Sequence, residues 1–198
     1  MNVHGPRPYR MVRRAETTER TRDAILAAAT DVFWADPTAD FTLDQVARVA
    51  GVTVQTVIRH FGSREGVFNA AVEREFAQVA DERDPAAATT PAAAVRQLVA
   101  HYERVGDSAM RLLAEEHRSP TIARLLTAAR GVHRDWCQQA FAGALAATAP
   151  GDRQRRLAQL VAVCDLYTWY LLRRQAGLEP AETERAMVEL LSPLLEVP

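Results

Sequence analysis

Residues 42–66, TLDQVARVAGVTVQTVIRHFGSREG, constrain the chain more than any other stretch, because they crowd three helix starts together with only short turns between them. Thr42 opens a capping box with Gln45, and Phe41 before it is placed to pack on Val46 as a hydrophobic staple. Thr53 caps the next helix, with Val52 and Val57 spaced to staple it, and Ser63 caps another that is expected to run to about Arg83. Ala47, Gly51 and Val57 follow one another at offsets of four and six. That spacing puts a small residue where two helices approach, a glycine able to take positive φ in the turn, and an apolar anchor under the second helix. The segment therefore reads as a helix-turn-helix.

The remaining apolar residues also recur at three and four positions, which predicts an all-α chain of about nine helices. A first helix is expected over Thr18 to Trp34, burying Ile25, Leu26, Ala29, Val32 and Phe33 and closed by Pro37 within ADPTAD. Later starts carry proline in the first turn, at Thr90-Pro91, Ser119-Pro120 and Glu179-Pro180, where its missing N–H costs nothing. Gly106, Pro150-Gly151 and Gly177 are expected to end helices, and Pro193 to stop or kink the last one near Leu191. The organisation predicted is a flexible Arg-rich arm over 1–17, a helix-turn-helix domain over 18–66 and a helical body over 67–198. DPAAATTPAAA (84–94) is expected as loop and helix entry.

Composition excludes more than it selects. The net charge of −1 argues neither for nor against a nucleic-acid partner, but residues 1–22 carry six Arg against two Glu, +4, leaving −5 for the rest. All the cationic side chains are Arg; there is no Lys. The longest apolar stretch, 157–172, is interrupted by Gln159 and Asp165, so no membrane span is expected. Met1 leads into a polar, Arg- and Pro-rich stretch without the apolar core of a signal peptide, which points to the cytoplasm. Cys137 and Cys164 form no CxxC and are expected as buried free thiols. No cofactor is implied.

If the helix beginning at Thr53 is held from behind by its apolar side, its outer face presents Thr53, Val54, Gln55, Thr56, Arg59 and His60. These supply hydroxyls for phosphate, an amide for a base edge, an aliphatic group for a thymine methyl, and cationic donors. Gln55 is the expected base reader. Free amides at the helix starts capped by Thr42 and Ser63 suit phosphate, and Arg64 would strengthen the second of them.

FTLDQVARVAGVTVQTVIRHFGSREGVFNAAV (41–72) resembles the DNA-binding head of the TetR family of bacterial transcriptional regulators, with Gly51, Val52, Thr53, Thr56, Phe61, Ser63 and Glu65 matching its pattern. His60 fits as well. Ile58 stands where the family often has a phosphate-contacting Tyr, and Arg64 replaces the usual Lys. The resemblance implies a homodimer whose heads enter successive major grooves of a palindromic double-stranded operator, and a body that binds a small-molecule effector. The arm before Thr18 would add phosphate or minor-groove contacts or be a solubilising tail.

A weaker resemblance covers the body, where the family pairs its last two long helices between subunits. The expected helix over 152–176 looks apolar on more than one side, with Leu157, Leu160, Val161, Val163, Cys164, Leu166, Leu171 and Leu172. Leu160, Val163 and Leu171 are its candidate dimer contacts, joined by Met187, Leu190, Leu191 and Leu194 of the final helix. Candidate effector-pocket residues are polar or aromatic groups within apolar helices: Tyr102, Met110 and His133, then Trp136, Asp165, Tyr167 and Trp169.

Three other functions compete. His133 and Cys137 lie four apart on one helix face, as a nucleophile pair would, but no orienting third group or oxyanion-hole signature accompanies them. A metal sensor would draw on His101, His117 and His133 with Glu115 or Glu116, yet no HxxxH or HExxH pair is present. The loss of the Tyr at 58 keeps open a helical interaction or sensor module whose head no longer binds DNA.

Overall fold

The computed structural model describes residues 7–35 and 42–196, with side chains of the first helix from Glu16 onward. The staple expected from Phe41 and the closing loop at Pro37 lie outside the described residues. Every described element is helical: α1 (Arg7–Ala35), α2 (Leu43–Ala50), α3 (Val54–Phe61), α4 (Arg64–Glu82), α5 (Pro91–Glu115), α6 (Pro120–Ala140), α7 (Ala142–Ala147), α8 (Arg153–Val163), α9 (Leu166–Tyr170) and α10 (Pro180–Leu195). A π-helical turn, Leu171–Gln175, continues α9.

Four expectations need correcting. α1 begins at Arg7 rather than Thr18, so residues 7–17 are helical backbone where an arm was expected. Arg, Met, Ala and Glu favour helix there, and Pro8 falls in the first turn, where proline is tolerated. Gly106 does not end a helix; it sits buried inside α5. The helix expected over 152–176 is broken, because the Asp165 carboxylate accepts from the Tyr167 amide at 2.9 Å and starts α9 afresh. Pro193 is carried within α10, which continues to Leu195, so close to its end that only one helical bond is lost.

The chain forms two compact units that divide after Glu75, inside α4, not at residue 66. In the first, α1, α2, α3 and the start of α4 enclose Ile25, Leu26, Ala29, Val46, Val57 and Val67. Val32 and Phe33 are half-buried, and Phe33 meets Phe68 edge-on at 5.6 Å. This small core fixes the relation of α2 to α3.

In the second unit, α5, α6, α8, α9 and α10 surround Leu98, Val99, Tyr102, Trp136, Leu160, Trp169, Met187 and Leu191. Trp169 donates its indole N–H to Glu103 at 2.9 Å, and Arg173 reaches the same oxygen at 3.0 Å. Arg174 completes the tie between the π-helical turn and α5, pairing with both oxygens of Asp107 at 2.9 and 3.0 Å.

Candidate nucleic-acid interface

The turn between α2 and α3 is built as its residue types require. Gly51 takes φ 67° and closes α2, and the Val52 amide then donates to the Ala47 carbonyl at 2.9 Å. A residue with a Cβ is disfavoured in that left-handed conformation. Ala47 and Val57 are both buried in the head core, on which Val54 and Phe61 also pack, so α3 is held along its apolar side.

Thr42 completes the expected capping box: its Oγ1 accepts from the Gln45 amide at 3.3 Å, while its own amide donates to Gln45 Oε1 at 3.0 Å. The Thr42 hydroxyl and amide are thus engaged inside the cap. At this helix start a phosphate would be met by the amides of the first turn after Thr42, which have no partner within a helix. Ser63 caps α4 by accepting from the Gly66 amide at 3.1 Å, and Arg64 is exposed at the first position of that helix.

On α3 itself the expected residues separate into two groups. Thr53, Gln55 and Arg59 are exposed, whereas Val54, Thr56 and His60 are half-buried. Thr53 is the N-cap, accepting from the Thr56 amide at 3.2 Å, and the two hydroxyls share a 3.0 Å hydrogen bond. Val54 packs partly on the head core, which leaves Ile58 as the more exposed aliphatic side chain of α3. Ile58 is 44% exposed, one of the few large apolar side chains left in solvent, and sits beside Arg59. The departure from the Tyr pattern at 58 was visible in the sequence; its exposure was not. The cationic edge is extended by Arg22, whose guanidinium stacks over Phe61 at 5.0 Å.

The candidate effector residues do not gather as one open pocket. Tyr102 is buried and donates its hydroxyl to the Cys164 carbonyl at 3.0 Å. Trp136 and Trp169 are core residues, Asp165 is spent on its cap, Tyr167 is 53% exposed, and Met110 is half-buried. His133 stacks on Trp136 at 6.1 Å. A cavity of about 350 Å³ instead lies among Gln138, Ala142, Leu145, Arg153, Gln154 and Leu157, and none of the seven expected residues lines it.

The candidate dimer residues are likewise divided. Leu160, Met187 and Leu191 are fully buried in their own core, so they are not surface contacts, and Val163 and Leu194 are half-buried against that core. Leu171 at 52% and Leu190 at 49% exposure remain as the outward apolar residues of the set. The apparent surplus of apolar residues over 152–176 arose from assuming one straight helix. Leu157, Leu160 and Cys164 are buried in the chain's own core, and Val161, Val163, Leu166 and Leu172 pack against it.

Among the described residues no three His, Cys, Asp or Glu side chains gather as a metal site, and no helix is long and apolar enough to cross a membrane.

A short helix anchored from behind, capped by threonine and preceded by a glycine turn on a second small helix, defines a helix-turn-helix head carried with a helical body. The profile of the bacterial regulatory proteins, tetR family, matches residues 25–71. The match is confined to the helix-turn-helix head, under a quarter of the chain. Over 58 residues it is 45% identical to the HTH-type transcriptional regulator SrpR of Pseudomonas putida, 29% of this chain and 27% of that one. The uncharacterised HTH-type transcriptional regulator TtgW of the same species is 43% identical over 58 residues, 29% of this chain and 43% of the relative. The match thus spans less than half the length of each of these curated relatives.

Solved structures extend the likeness to the whole fold. A transcriptional regulator from Rhodococcus sp. Rha1 superposes with a TM-score of 0.62 at 21% identity, covering 89% of this chain and 98% of its own. A protein of Mesorhizobium loti assigned to the TetR family gives 0.65 at 19% identity, with 90% and 96% covered. At such identities the similarity is one of fold.

Proposed function

We propose that the protein is a sequence-specific DNA-binding transcriptional regulator of the cytoplasm, acting as a homodimer on a palindromic operator and reset by a small-molecule effector. The observation that carries the reading is the exposed face of α3, where Thr53, Gln55, Ile58 and Arg59 stand outward from a helix fixed by Val57 behind it. Gln55 reads a base edge, Ile58 supplies the apolar contact, and Thr53, Arg59, Arg64 and the amides after Thr42 and Ser63 hold phosphates. One eight-residue helix makes few base contacts, so a single head selects poorly and two heads select well.

Exposure of Leu171 and Leu190 on the second unit supports self-association there. The effector response rests on the family's common behaviour, as does repression in place of activation. For the effector, the 350 Å³ cavity beside Gln138 and Arg153 is a better starting point than the packed aromatic core. The deciding experiment is selection of bound duplexes from a random pool by the full-length protein. A palindromic consensus with half-sites about one helical turn apart is expected; enrichment of no sequence would overturn the reading.

A further inference from the structure

We infer that Arg22 of α1, laid on the ring of Phe61, is a phosphate contact of the head that carries no sequence preference, and that Phe61 is the positioning residue for it. The inference rests on the DNA-binding reading and adds to it a residue from outside α2 and α3. It begins with the distribution of side chains around α3. At about 100° per residue, Val54, Ile58 and Phe61 fall along one row of the helix, because they are spaced by four and then three. That row is apolar from end to end. Arg59, the exposed arginine of α3, stands roughly 160° around the axis from Phe61, on the opposite flank, and Gln55 falls between the two.

An α-helix with its side chains is about 10–12 Å across, and the major groove is about 12 Å wide. A helix seated in the groove therefore fills it from wall to wall, and a cation fixed at its flank meets the sugar–phosphate backbone, not base edges. One flank of α3 has Arg59. The other has no charge of its own, and it is there that Arg22 arrives from α1, its guanidinium 5.0 Å from the centroid of the Phe61 ring.

The surroundings of Arg22 leave its charge available. The side chain is exposed, and among the described residues no carboxylate pairs with it. Its neighbour Asp23 is engaged instead by Arg74 of α4, at 4.0 Å, and the same Arg74 Nη1 donates to the Asp23 carbonyl at 3.2 Å. Ile25 and Leu26, one turn further on, are buried in the head core. The turn of α1 that carries Arg22 is thus tied to α4 and to the core, while its side chain rests on α3.

The stack prepares the guanidinium for an anion. A long arginine side chain loses rotamer freedom when it is immobilised on a partner, and one already laid on a ring has less to lose. Cation–π contact uses the face of the guanidinium. Its edge, where the N–H donors lie in a planar fork, remains for two phosphate oxygens.

The test uses the full-length protein and two duplexes, an operator recovered by selection and a scrambled duplex of the same length, titrated by fluorescence anisotropy at several salt concentrations. Arg22→Gln and Arg22→Met remove the charge and keep a chain long enough to cover Phe61; if circular dichroism shows one of them unfolded, the other decides. For each head engaged, both duplexes should be bound about five- to tenfold more weakly near 0.1 M salt, and the slope of log affinity against log salt should fall by about one. Arg22→Lys should keep the slope. Phe61→Leu retains an apolar side chain but not the ring face, so it should weaken binding about two- to fivefold, and its effect should largely vanish when Arg22 is already Gln. A variant that lowers the urea midpoint while leaving slope and affinity at wild-type values would reduce Arg22 to a cover for Phe61 and end the inference. So would a loss confined to the selected operator, which would make Arg22 a base reader, and additive losses from the two positions would remove the role given to Phe61. Wild-type protein that binds neither duplex would instead sink the DNA-binding reading itself, a result visible before any substitution is made.

Discussion

Gly106, in the middle of α5, lies so close to the indole of Trp169 that a Cβ at 106 would stand 2.4 Å from Cζ3 and 2.5 Å from Cη2. The ring cannot give way easily. It is fully buried, its N–H is bound to Glu103, Arg174 stacks over it at 4.7 Å and Tyr102 adjoins it at 5.9 Å. Gly106→Ala gains about 1 kcal/mol of helix propensity and meets an overpacking penalty of about 1–3 kcal/mol. Because the ring is held on several sides, a net loss of about 1 kcal/mol or more is expected. A lower urea midpoint at unchanged slope would show it; a higher midpoint would contradict the close packing.

That contact also marks the boundary of what the sequence discloses. The caps at Thr42, Thr53 and Ser63 and the turn at Gly51 are set by residues within a few positions of one another, and all four were legible and are present. Gly106 looked like a helix end because its purpose depends on Trp169, which is remote in the chain. The burial of Leu160, Met187 and Leu191 was misread as surface for the same reason: an apolar stripe shows that something covers it, not whether the cover is the same chain. Within the candidate interface, Gln55 and Arg59 could be placed by helical periodicity, while the exchange of exposure between Val54 and Ile58 depends on how α3 rolls against its core.

The two ends of α2 should respond differently to substitution. Thr42→Ala removes the side-chain half of the capping box and should cost about 1 kcal/mol. Gly51→Ala meets no atom within 4 Å of the added Cβ, so its cost is purely one of backbone conformation at φ 67°, about 1 kcal/mol or somewhat more. Gly51→Asn should recover part of that loss, since asparagine tolerates this conformation. Thermal unfolding of the three variants would separate a steric from a backbone origin, and a Gly51→Asn protein no more stable than Gly51→Ala would rule out the latter.

On the proposed reading, Gln55 and Arg64 should fail in different ways. Gln55→Ala should relax preference at one operator position by about 1–3 kcal/mol, with little change on unrelated duplexes. Arg64→Ala should weaken specific and nonspecific binding alike and lower the slope of log affinity against log salt by about one. Ile58→Ala should act as Gln55→Ala does if the exposed methyls read a thymine. Fluorescence anisotropy on a selected operator and a scrambled duplex at several salt concentrations checks all three, and a uniform effect of Gln55→Ala across sequences would move the base-reading role elsewhere.

Stability should fall between neutral and mildly acid pH because of His101. Burial, with the nearby Arg83 and Arg104 charges, lowers this imidazole from 6.5 to about 4, and the opposing hydrogen bond to Glu82 at 3.4 Å and the Glu82 charge do not reverse it. At neutral pH the contact with Glu82 is therefore a hydrogen bond from an uncharged ring, not an ion pair. A folded-state value below the unfolded one means that the unfolded chain takes up the proton first as pH falls. The stability contributed by the neutral ring is thus complete above about 6.5 and lost progressively toward about 4. A shift of that size corresponds to roughly 3 kcal/mol as an upper bound. Urea midpoints measured across this range should decline for the wild type and decline less for His101→Gln, which keeps a donor for Glu82 but has no proton to gain. Parallel curves for the two proteins would show that the acid sensitivity lies in other groups.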